Sequence, residues 1–76
     1  MKELIKNIAQ AIVDNPEQVK VEEIEGRVTS VFKLKVAKED MGKVIGKKGK
    51  TAIAMRTLLT AVAAKEGKRA MLEILD

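Results

Sequence analysis

A chain of 76 residues has room for one domain, 1–76, and 46% hydrophobic with 34% charged residues is globular composition. Cysteine and histidine are both absent, which excludes disulfides, thiolate and imidazole metal sites and the usual general base, so neither a metal, a cofactor nor an enzyme is expected. The net charge of +4 is uneven: residues 1–26 carry −3 and residues 27–76 carry +7, with five basic and no acidic residues from Lys43 to Arg56, a patch that attracts polyanions.

The elements follow in chain order. Lys2 to Asp14 reads as a helix with Leu4, Ile8 and Ile12 on one stripe beside Ile5 and Ala9. Asn15-Pro16 ends it, since proline disfavours helical backbone at the residue before it. Val19 to Ile24 alternates as a strand, with a slip at Glu23-Ile24 that suggests a bulge. Glu25-Gly26-Arg27 is a turn, and Val28 to Val36 is a second strand with Val28, Ser30, Phe32, Leu34 and Val36 on one face. Glu39 and Asp40 are placed to cap a short helix through Met41 to Ile45. Lys50 to Lys65 is the longest helix, with Ala52, Met55, Leu58, Leu59, Val62 and Ala63 in one arc and Ile53 outside it. Gly67 is placed to cap its C-terminus, and Lys68 to Leu75 is the last strand. With one Phe and no Trp or Tyr, the core is aliphatic. No apolar run approaches a membrane span or a signal peptide, so a cytoplasmic protein without membrane contact is expected.

Between the last two helices stands Gly46-Lys47-Lys48-Gly49. Glycine allows a sharp turn and close approach by another chain. A helix N-terminus offers free N–H groups and a positive dipole end, and Lys47, Lys48 and Lys50 add mobile cations. This combination suits a phosphodiester backbone and reads no base. A plain helix–loop–helix turn with surface lysines has the same spacing.

The run Val44-Ile45-Gly46-Lys47-Lys48-Gly49-Lys50-Thr51-Ala52 resembles the KH-domain signature, V-I-G-x-x-G followed by a helix. The element order αββααβ resembles the type II, bacterial form. The whole chain is similar to the small stand-alone bacterial KH proteins of the KhpA type, including Arg56-Thr57 and Glu66-Gly67-Lys68-Arg69. The resemblance implies an α+β fold, a three-stranded mixed sheet with three helices on one face. It also implies a single-stranded RNA-binding function, such as RNA chaperoning or post-transcriptional regulation. Gly46, Lys47, Lys48 and Gly49 would hold phosphates, and Ile45 would line an aliphatic groove. Lys43, Lys50 and Arg56 join this set from charge and helical placement. The family usually has a large aliphatic side chain where this sequence has Ala52, which leaves the groove lining open and gives Ile53 two roles, exposed partner contact or domain-edge packing.

Two other classes compete. Gly49-Lys50-Thr51 matches the end of a nucleotide-binding P-loop, but the first glycine of that motif would fall at Val44 and no strand precedes the loop. A protein–protein module with weak RNA affinity fits the acidic first third. The resemblance implies a homodimer or a complex with a larger Jag-type KH protein.

Overall fold

The computed structural model describes residues 1–76. In chain order these form α1 (Lys2–Ile12), β1 (Lys20–Glu25), β2 (Thr29–Lys35), α2 (Met41–Ile45), α3 (Lys50–Lys65) and β3 (Arg69–Leu75), with 3-10 turns at Pro16–Gln18, Lys38–Asp40 and Lys47–Gly49. β1 pairs antiparallel with β2, and β3 pairs parallel with β2 on its other side. A parallel pair needs a crossover, and α2, the glycine loop and α3 supply it. The helices pack on one face: α1 against β1 and β2, α2 and α3 against β3. This is the α+β, mixed-sheet arrangement of the type II KH fold. No helix is long and apolar enough to cross a membrane.

The central strand shows why the sheet needs that cover. Ser30, Phe32 and Leu34 are buried, while the residues between them are at least partly exposed. Phe32 and Leu34 pack with Ile5 and Ala9 of α1, Val44 of α2, Met55 and Leu59 of α3 and Leu72 of β3. Each large side chain removed from water in this way stabilises the fold by about 1.5–3 kcal/mol. At the end of α3, Gly67 (φ +70) lets the Gly67 and Lys68 N–H groups bond the Ala64 and Ala63 carbonyls. That pairing is a Schellman motif and stops the helix where the glycine predicts.

Several expectations are corrected. α1 ends at Ile12, not Asp14, because Val13 is extended (φ −96, ψ 160) and the next two N–H groups leave the helix for Asp40. β1 has no bulge. Its register with β2 is unbroken, so Glu23 turns inward opposite Phe32 and Ile24 takes the outer face opposite Val31, 48% exposed. Val28 lies before β2 rather than in it and is 60% exposed. Leu58 is exposed, since the buried stripe of α3 is Ala52, Met55, Leu59 and Ala63.

Candidate nucleic-acid interface

α2 leads directly into the loop, and its start is fixed by Asp40. Its side chain does not cap α2, contrary to the expectation from its position. The carboxylate is fully buried and accepts hydrogen bonds from the Asp14 N–H (3.1 Å), the Asn15 N–H (3.0 Å) and Asn15 Nδ2 (3.0 Å). Burial pushes its pKa up. The hydrogen bonds from Asn15 and Asp14, with the charge of Lys43, outweigh that and hold it below the ordinary value. Glu39 accepts a second bond from Asn15 Nδ2, at 3.2 Å. Both acids therefore tie the segment after α1 to the start of α2.

Gly46 ends α2 with φ +78, and a side chain there would collide with α3: a Cβ would lie 2.3 Å from Thr51 Oγ1. The loop thus folds its backbone onto the first turn of the next helix. Lys48 is left-handed (φ +57, ψ 26), and so is Gly49 (φ +74, ψ 11), whose missing Cβ faces open space. The N–H groups of Gly46, Gly49 and Lys50 bond the carbonyls of Gly42, Gly46 and Lys47. The expectation of free donors at the start of α3 is therefore trimmed, because the loop spends the first of them on its own turn. Its outward character rests on the lysines. Lys47, Lys48 and Lys50 are exposed and take part in no ion pair, whereas Lys43 Nζ is bonded to Asp14 Oδ2. That bond, opposed by partial desolvation, raises the Lys43 pKa.

A groove begins one helical turn beyond Gly49. Ile53, Arg56, Thr57, Thr60, Ala61 and Ala64 line its first part, about 480 Å³ in volume. A second concavity shares Thr60 and Ala64 with it and is lined on its other side by Thr29, Lys68, Arg69, Ala70 and Met71. Arg56 spans the wall of the first, with Nη2 donating to the Leu72 carbonyl at 3.4 Å.

The fold therefore strings Gly46, Lys47, Lys48, Gly49 and Lys50 along one exposed turn, with Arg56 in the adjoining groove. Lys43 points into an ion pair instead. Ile45 is 39% exposed beside the loop, but neither it nor Ala52 is among the groove-lining residues. Ala52 is 3% exposed, while Ile53, 58% exposed, lines the groove. Thr57, Thr60 and Arg69 were missed. Their helical and strand phase was legible, but which strand edge α3 borders is not a local property.

The family model described as KhpA/KhpB, KH domain matches residues 2–74. The RNA-binding protein KhpA of Caldanaerobacter subterraneus is 57% identical over 75 residues, covering 99% of this chain and 100% of the relative. That of Clostridium acetobutylicum is 51% identical over the same shares. That of Aquifex aeolicus is 49% identical over 76 residues, 100% of this chain and 96% of the relative. No solved structure matches. With a full-length family match on the αββααβ frame and the glycine loop where the signature requires it, the chain belongs to the KhpA/KhpB family of KH domains.

Proposed function

We propose that this chain binds single-stranded RNA, with Gly46 to Gly49 gripping the phosphate backbone and the α3–β3 groove receiving bases. The observation that carries the reading is the loop itself. Three exposed lysines without ion-pair partners surround a backbone turned sharply by two positive-φ glycines, one helical turn before an open concavity along α3. Relatives that match over nearly their whole length are named RNA-binding proteins. Lys50 adds to the phosphate grip. Lys43 joins it only by leaving Asp14, and Ile45 supplies apolar contact beside the loop.

A grip of about four nucleotides is weak and sequence-tolerant. That suits a cytoplasmic RNA chaperone or post-transcriptional regulator, and it favours pairing with a second KH unit to gain avidity. Leu58 is 42% exposed on a face of α3 that does not line the groove. It supports a second reading, in which the chain also docks a copy of itself or a Jag-type KH protein. Light scattering with and without an RNA oligomer separates docking from RNA-driven assembly.

The test of the main reading is Lys47→Asp with Lys48→Asp. Affinity for a single-stranded RNA oligomer should fall steeply while circular dichroism stays unchanged. The slope of log affinity against log salt should flatten by about 0.7 per lost phosphate contact. Unaltered affinity in the folded double variant removes the loop from the mechanism.

A further inference from the structure

The helices cover one face of the sheet and leave the other bare. Strand pairing fixes what the bare face carries. Ile24 stands opposite Val31, and Val31 stands opposite Met71, so one apolar row runs across all three strands. Ile24 and Met71, its two ends, are exposed, although burial of such side chains is favourable. The row on one side of it is charged, Glu22, Lys33 and Glu73. The row on the other side sets Thr29 opposite Arg69, with Gly26 bonded to Thr29 just beyond the end of β1.

Arg69 and Glu73 flank Met71 on one strand. Four residues of strand hold them about 13 Å apart, too far to pair with each other, and neither takes part in an ion pair. A second copy can pair both. With a two-fold axis along the apolar row, Ile24, Val31 and Met71 meet their own counterparts, and the row on one side faces the row on the other. Glu73 of each copy then lies over Arg69 of the other. Lys33 lies over Thr29 and Glu22 over Gly26, so no like charges meet. The other aligned arrangement, with the axis along the strands, sets Lys33 on Lys33 and Glu22 on Glu73. The charges therefore disfavour that arrangement and select the first.

We propose that the bare face of the sheet is a contact between two copies of this chain, packed sheet to sheet on the Ile24–Val31–Met71 row and locked by crossed Arg69–Glu73 pairs. Such a two-fold contact uses the same patch on both partners. Three strands of six or seven residues make a face of roughly 300 Å², well under the standard of about 800 Å² per partner. The association is therefore weak and depends on concentration. It lies on the opposite side of the sheet from α3 and Leu58, so it is independent of docking through that helix and leaves the RNA grip open. The loop stands at the Leu75 end of β3, because α3 runs back along that strand from Arg56 beside Leu72 to Ala64 beside Ala70. The two-fold reverses the strands and puts the two loops at opposite ends of the pair.

The experiment is sedimentation equilibrium without RNA, over a wide range of protein concentration. It starts from Leu58→Glu, which removes any contact through that face of α3, and adds either Arg69→Glu or Glu73→Arg. Leu58→Glu alone should still self-associate. Each added substitution sets like charges over one another twice and should weaken association more than tenfold. An equimolar mixture of the two double variants should regain it, because the two introduced charges then face each other and the two native ones do likewise. That recovery also shows that both variants are folded. A Leu58→Glu protein that stays monomeric at every concentration overturns the proposal. So does an association that the sheet substitutions leave unchanged, or one that the mixture fails to restore. None of these results bears on the RNA-binding reading, which titration of the same variants with an RNA oligomer checks separately.

Discussion

The two ends of α2 treat charge in opposite ways. At its start, Asp40 is fully buried and three N–H donors surround its carboxylate. At its end, Lys47, Lys48 and Lys50 are exposed and take part in no ion pair. A buried ion must be satisfied internally or it costs several kcal/mol, so Asp40 is structural charge and holds the helix in place. An exposed cation without a partner contributes little to stability and keeps its field for an incoming anion. Five residues of helix thus separate a group whose loss should destabilise the domain from groups whose loss should leave it folded and, on the proposed reading, weaken RNA binding.

The largest test of this contrast is Asp40→Asn. The shape is conserved, but an amide NH₂ replaces one acceptor oxygen and faces either the Asp14 N–H or the two Asn15 donors. A fall in Tm of about ten degrees or more is expected in a domain this small, with RNA affinity lost only as the fold is lost. The pH dependence follows the same logic. The Asp40 pKa is depressed below 3.8 in the folded state. Its contribution is therefore complete above the unfolded value and lost as pH falls through the folded one. Thermal melts should show no Asp40-dependent change near neutrality and a decline below about pH 3.8 that Asp40→Asn lacks. A variant as stable as wild type at pH 7 would show that Asp40 is not the anchor.

The two loop glycines sharpen the comparison further. Gly46 combines φ +78 with a Cβ position 2.3 Å from Thr51 Oγ1, whereas Gly49 has φ +74 and open space. Gly46→Ala should cost about 3 kcal/mol through strain and overlap. Gly49→Ala should cost about 1 kcal/mol, through the left-handed backbone alone. Chemical denaturation of both variants checks the ratio. Equal costs would mean that the loop relaxes away from Thr51, and that close packing onto α3 is not what requires the first glycine.

Much of this was legible in the sequence. Gly46 ends α2, and Gly49 and Gly67 bracket α3, because positive φ costs a glycine little, so the end at Ile45 and the bounds Lys50–Lys65 follow from these three residues. The strand faces follow from alternation at Ser30, Phe32 and Leu34. The role of Asp40 was not legible. A carboxylate before a short helix looks the same whether it caps that helix or reaches the backbone 25 or 26 residues earlier. The groove lining stays open in the sequence for a similar reason. Ala52 and Ile53 are neighbours on the helix, and only the rotation of α3 on the sheet decides that Ala52 is buried while Ile53 lines the opening. Arg56 was found by charge, yet its bond to Leu72 depends on which carbonyls a parallel edge leaves outward.

Lys43 is the intermediate case and supplies the smallest effect. It lies on α2 between the two regimes, and its pairing with Asp14 is a surface contact, the side chains 42% and 73% exposed. Such pairs contribute little to stability, so Asp14→Asn should leave Tm nearly unchanged. The Lys43 pKa is raised above 10.5 by Asp14, so any stabilisation from the pair is present at neutral pH and lost only as pH rises through the folded value. Freed from Asp14, Lys43 becomes one more cation near the loop. RNA affinity should then rise by a small factor at low salt, with the salt slope steeper by about 0.7. If Asp14→Asn binds RNA no better than wild type and with the same slope, Lys43 belongs with Asp40 as structural charge, and the phosphate grip begins at Lys47.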